Sequence, residues 1–234
     1  MRTASPSIPS PQGHVDASQN ITGKKQPMND AIVEDGENFK QFHQFNKYLK
    51  HDGDCFAGGF AKHVFEGKKP RDLDMYFTDS SHYEDTLSRM LADGWEQTYK
   101  NDHATGVRKD GQSIDLVTYI YGDAESVIGE FDFTVTKFAW RLISEDDEVK
   151  FEAVFHPDFF EHLETHRLVI DDKMVLPIST FQRMFKYTRY GFNLCRESKV
   201  KLLLAIRNWE PHNSEDTADE LEEALTKSLE ESMD

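Results

Sequence analysis

The feature that most constrains this chain is a pair of glycines followed by a pair of carboxylates. Gly58 and Gly59 close a short apolar run, and Asp72 and Asp74 bracket Leu73 further on. The pattern predicts a strand at 55–57, a turn, a short helix ending near Gly67, and a second strand over 73–77. Residues i and i+2 of a strand share a face, so Asp72 and Asp74 project side by side while Leu73 turns to the core. Asp115 lies between Ile114 and Leu116 in a third strand, predicted over 113–121, and therefore faces away from both. A carboxylate among such residues needs a metal ion or a polar partner to justify its burial. Three convergent carboxylates are what phosphoryl transfer demands, because two Mg²⁺ ions with oxygen ligands clamp the attacking and leaving oxygens. Glycines at the turn let the backbone approach a triphosphate closely.

The elements around this unit follow from periodicity and turn residues. Phe39, Phe42, Phe45 and Leu49 are spaced for one face of a helix over 38–50. A helix over 82–92, closed by Gly94, precedes strands at 95–100 and 104–109, and Asp110-Gly111 marks a hairpin into the strand carrying Asp115. Residues 131–143 and 149–155 predict a strand pair, 157–165 a helix, and 178–190 with 197–209 a helical pair. The fold class is therefore α+β: a mixed, mainly antiparallel sheet with helices on one face, then a small C-terminal helical appendage.

Composition sets the boundaries. Residues 1–37 contain no aromatic side chain and four of the eight prolines, and so predict a disordered segment. One folded domain is expected over 38–212, its sheet-bearing body at about 52–155 and its helical appendage at about 156–209. Residues 213–234 hold nine acids and one lysine, half of the net charge of −16. That charge argues against non-specific coating of nucleic acid, though a local basic cleft remains compatible with it. No apolar run approaches the roughly 18 residues of a membrane span. Cys55 and Cys195 stand far apart in apolar surroundings, which fits a reducing intracellular compartment, cytoplasmic or nuclear.

Residues 58–74 resemble the signature of class II CCA-adding enzymes and bacterial poly(A) polymerases, within the DNA polymerase β-type nucleotidyltransferase superfamily. That signature is Gly-Gly-x-Val-Arg-Asp, a helix ending in Gly, then Asp-x-Asp. Here Lys62 and His63 stand at the Arg-Asp positions. Phe131 to Thr136 is similar to the family's Arg-Arg-Asp-Phe-Thr-Ile-Asn motif, with Glu130-Phe131 replacing the Arg-Arg pair and Thr136 the Asn. Arg183 to Phe192 resembles the Arg-rich helix ending in Gly-Phe after the palm. The resemblance implies that Asp72, Asp74 and Asp115 are catalytic and hold two Mg²⁺, or Mn²⁺, ions. It implies that Gly58, Gly59 and Lys62 bind the triphosphate, that Asp132 contacts the ribose, and that Arg183 and Lys186 reach the nucleotide. The long helical body that grips tRNA in those enzymes has no counterpart before the chain ends, so CCA addition is not implied.

The expected activity is transfer of a nucleoside monophosphate from a nucleoside triphosphate to a hydroxyl on an RNA 3′ end, a protein or a small molecule, with release of pyrophosphate. The competing reading is a catalytically idle palm serving as a binding module. In that reading the tail recruits a partner: residues 219–231, with Leu221, Ala224, Leu225 and Ser228 on one stripe, resemble a ubiquitin-interacting motif. The basic stretch Lys68, Lys69 and Arg71 reads most simply as a solvated loop.

Overall fold

The computed structural model describes residues 33–208, apart from 35–36, 71, 146–147, 172 and 175. The acidic tail at 213–234, the stripe within it that resembles a ubiquitin-interacting motif and the first 32 residues lie outside the described residues. Val33–Glu34 (β1) forms a two-residue strand within the stretch expected to be disordered.

The remaining elements run as a 3₁₀ helix (Glu37–Phe45), β2 (Cys55–Ala57), α1 (Phe60–Phe65), β3 (Asp72–Phe77), α2 (Ser80–Ala92), β4 (Glu96–Lys100), β5 (Ala104–Lys109) and β6 (Gln112–Tyr121). They continue with α3 (Ala124–Gly129), a 3₁₀ turn (Thr134–Thr136), β7 (Phe138–Glu145), β8 (Glu148–Phe155), α4 (Phe159–Glu164), β9 (Arg167–Leu168), α5 (Pro177–Arg189), β10 (Asn193–Leu194) and α6 (Arg196–Arg207). Eight strands form one sheet in the order β1-β8-β7-β2-β3-β6-β5-β4. Its pairings are antiparallel except for β3 with β6, which run parallel with α2 in the crossover between them. The mixed, mainly antiparallel α+β sheet inferred from the sequence is the fold observed.

Two expected elements differ. The segment at 37–45 is a 3₁₀ helix, whose three residues per turn stack Phe39, Phe42 and Phe45 in one line. All three are buried. The predicted strand over 131–143 begins only at Phe138, because Thr134–Thr136 coils and Thr136 Oγ1 donates to the Phe133 carbonyl (2.7 Å). Helix α3 was not expected at all.

Alternation along β3 divides the core. Leu73, Met75 and Phe77 face a cluster with the 3₁₀ helix, α1 and α2, including Phe42, Phe138 and Trp140. Tyr76 and Val117 face the opposite side, which α3 partly covers through Val127 and Ile128. A third cluster joins Phe133 and Val135 to Tyr187 and Phe192 of the appendage. Phe42 is fully buried, its ring 5.0 Å from Phe138 and 5.4 Å from Trp140. Phe42→Ala is expected to cost about 3–5 kcal/mol of stability in urea unfolding. A loss near zero would show that the 3₁₀ helix is an appendage rather than part of the core.

Candidate active site

The site begins with strand register. On the parallel pair Asp74 stands directly opposite Asp115, and Asp72 opposite Ser113. On the other flank Ala57 of β2 pairs with Asp74, and the chain then turns at Gly58. Gly58 has φ +95°, a left-handed conformation that side chains resist, and a Cβ there would lie 3.7 Å from Asp74 Oδ2 and from the Phe131 ring. The turn therefore runs its backbone against the Asp74 carboxylate. Gly59 is constrained differently: a Cβ would sit 2.8 Å from the Tyr187 hydroxyl. Helix α5 is thus clamped over the glycine pair.

The electrostatics follow from this proximity. Burial chiefly, then the neighbouring Asp115 charge, pushes the Asp74 carboxyl up to about 7, with Lys186 opposing. Asp115 is also raised, again chiefly by burial, and the Tyr99 hydroxyl donating to it holds it down. Carboxylates held together without a counter-ion carry a repulsion that a bound cation would relieve. Asp72, at the start of β3, is exposed. Among the described residues, no three His, Cys, Asp or Glu side chains are arranged to hold a metal ion as they stand.

The structure also places Tyr99 at the site, a residue that the sequence pattern does not single out. Tyr99 on β4 pairs with Gly106 on β5, and Gly106 in turn pairs with Asp115 on β6. A Cβ on Gly106 would lie 2.2 Å from Tyr99 Cε1, so the ring crosses the bare glycine to reach the third carboxylate. A glycine inside a strand pattern signals close approach, and Gly106 was the one available clue.

The cationic and ribose-facing candidates are placed as follows. Lys62 is not a solvated helix lysine: it is 1% exposed, its Nζ 3.8 Å from the centre of the Tyr190 ring and 3.3 Å from His63 Nδ1. Burial lowers its pKa, and Lys186 adds to this. Asp132 is buried, and Arg183 Nη2 lies 2.8 Å from its Oδ2 as an ion pair rather than an aligned hydrogen bond. Arg183 and Lys186 are themselves exposed. Tyr187, the residue after Lys186 on α5, is buried against Phe133 and sits within reach of the Asp132 and Asp74 charges.

Two outcomes follow. Between pH 3.8 and about 7 the folded chain keeps the Asp74 proton that the unfolded chain has released, so stability falls as pH rises through that window. Asp74→Asn removes this loss. In EDTA its melting temperature is expected to exceed that of the native chain at about pH 8, with the gain vanishing by about pH 4. A gain that does not change with pH would refute the repulsion. Tyr99→Phe and Gly106→Ala are each expected to raise the Asp115 pKa further, read by carboxyl ¹³C titration, since both remove the same donor. An unchanged value in either variant would refute the crossing.

Residues 35–166 match the family model described as Gabija anti-defense 2 family protein. A curated relative, "Gabija anti-defense 2" of Bacillus phage SPbetaL7, is 25% identical over 179 residues, 74% of this chain. The chain spans 42% of that relative's length. Among solved structures, the CCA-adding enzyme complex with ATP superposes with a TM-score of 0.57 at 16% identity, over 85% of this chain and 51% of that one. The tRNA-processing enzyme in apo form I gives 0.53 at 15% identity, over 75% and 49%. At these identities the likeness is one of fold, that of the nucleotidyltransferase palm. No helix among the described residues is long and apolar enough to cross a membrane, and nothing in these comparisons supports ubiquitin binding. With more than half of its length matched by the family model, the chain belongs to the Gabija anti-defense 2 family.

Proposed function

We propose that the chain is a metal-dependent nucleotidyltransferase that moves a nucleoside monophosphate from a nucleoside triphosphate to a hydroxyl, in the service of a phage's defence against the Gabija system. The observation that carries the reading is the register pairing of Asp74 with Asp115 beside the Gly58 turn. Asp72, Asp74 and Asp115 would hold Mg²⁺ or Mn²⁺. The exposed Asp72 side chain is free to swing toward the other two. When bound, the ions would polarise the reacting phosphate and the attacking hydroxyl.

The chain's own groups supply the rest. Gly58 and Gly59 would let the backbone meet the triphosphate, and the buried Lys62 with the exposed Lys186 would offset its charge. Asp132, held by Arg183, would face the ribose. The acceptor oxygen attacks the α-phosphorus, the bond to the bridging oxygen breaks, and pyrophosphate leaves. The hydroxyl proton passes to Asp115, whose charged form burial disfavours and the Tyr99 hydrogen bond favours. The acceptor, whether an RNA end, a protein or a small molecule, sets how this chemistry meets the defence.

The second reading, an idle palm that binds a partner, rests on the absence of a ready three-carboxylate cluster among the described residues. One experiment separates the two. Each α-labelled nucleoside triphosphate is incubated with Mg²⁺ or Mn²⁺ and an extract from Gabija-bearing cells. The native chain is expected to label an acceptor, and Asp72→Asn/Asp74→Asn to lower the rate by at least about a hundredfold. No label, together with no metal-dependent nucleotide binding in calorimetry, would leave the binding module.

A further inference from the structure

A cavity of about 600 Å³ opens on the face of the sheet opposite the carboxylates. Its apolar wall is Phe45, Tyr48, Met90 and Trp95, which belong to or pack against the cluster that Leu73 and Met75 face. Asp72 and Asp74 alternate to the other side, so this cavity is not the transfer site.

Four cations line it: Lys47, Lys69, Arg89 and Lys109. Several cations elsewhere in the described structure are matched to acids, as in Arg141 with Glu125 and Glu152, or Lys137 with Asp171. Here none of the four forms an ion pair with a described carboxylate, although Asp93 and Asp110 line the same cavity. Lys109 Nζ donates to the Asp93 carbonyl, and Lys47 Nζ lies 4.8 Å from the centre of the Tyr48 ring. Arg89 Nη2 donates to Thr86 Oγ1 at 3.1 Å, while its Nε is buried with no acceptor. A buried donor without a partner is uncommon and costs stability. In a chain with a net charge of −16, four cations gathered in one cavity are what an anion would satisfy. The volume falls in the range of small-ligand sites, roughly 300–1,000 Å³.

We propose that this cavity binds a small ligand bearing a di- or triphosphate, either free pyrophosphate or a nucleotide. Lys69 sits on the loop that leads into β3, just ahead of Asp72, so an occupied cavity would fix the start of the strand that carries two of the carboxylates. The proposal goes beyond the transferase reading and does not depend on it.

The test is calorimetry on the full chain in EDTA, with sodium pyrophosphate and ATP as separate titrants. Metal-free binding is expected in the native chain and is expected to persist in Asp72→Asn/Asp74→Asn, which separates it from the transfer site. Lys47→Gln/Lys69→Gln is expected to weaken it by about tenfold or more. Both lysines are exposed, so this variant keeps the fold. Arg89→Gln, checked for folding by circular dichroism, supplies a second reading. Equal affinity for the two titrants would mean that the phosphates alone are recognised, and tighter ATP binding that the base enters against the aromatic wall. No heat with either titrant would overturn the proposal, as would heat unchanged by both sets of substitutions. Cavity-dependent binding of a single-stranded oligonucleotide alone would overturn it in favour of a nucleic-acid track.

Discussion

The parallel pairing of β3 with β6 is the constraint on which the rest of the structure depends. Adjacent strands lie about 4.8 Å apart, so placing Asp74 opposite Asp115 forces two carboxyls together in a setting short of water. Antiparallel neighbours can be joined by a tight turn, but a parallel pair needs a crossover, and α2 with the β4–β5 strands fills that interval. The core cluster beneath then has to hold both strands rigidly, with Leu73, Met75, Ile114 and Leu116 turned into it. Packing supplies the force that keeps the repelling charges in place.

Around that pair, the surroundings divide into groups that press on the carboxylates and groups that answer them. Gly58 and Phe131 close one side of Asp74, and the Tyr187 hydroxyl fills the space beneath Gly59. Tyr99 answers Asp115 with a hydrogen bond, and Lys186 answers Asp74 with charge. Lys62 forms no ion pair with a described acid; an aromatic ring and a histidine lie against it, and Glu66 acts on it through its charge. A buried ammonium so placed is costly unless an anion comes to it.

Much of this was legible in the sequence where a short period governs the outcome. The alternation around Asp72, Asp74 and Asp115 fixes their face, and the Asp110-Gly111 turn fixes the hairpin, because each depends on a few neighbouring residues. The 3₁₀ winding at 37–45 was harder to see, since aromatics three apart satisfy either helix type over so short a span. Helix α3 escaped notice because six residues, Ala124 to Gly129, give too little periodicity; its Asp123 cap, accepting from Ser126 N, is the local signal. The coil at Thr134–Thr136 looked like a strand because threonine and valine favour strands, and packing against the appendage overrode that preference. Tyr99 was invisible because its role spans three strands, a relation no linear pattern records.

That three-strand arrangement also limits how the chain can change. While the Tyr99 ring lies across Gly106, a Cβ at 106 meets it at 2.2 Å, so a side chain there must push the ring aside. If Tyr99 is replaced by a small residue, the ring over Gly106 is gone, and Thr98 Oγ1, 2.7 Å from a Cβ there, is the contact that still has to yield. Positions 99 and 106 are therefore coupled: the tyrosine keeps its place over the third carboxylate only while the residue across from it has no side chain.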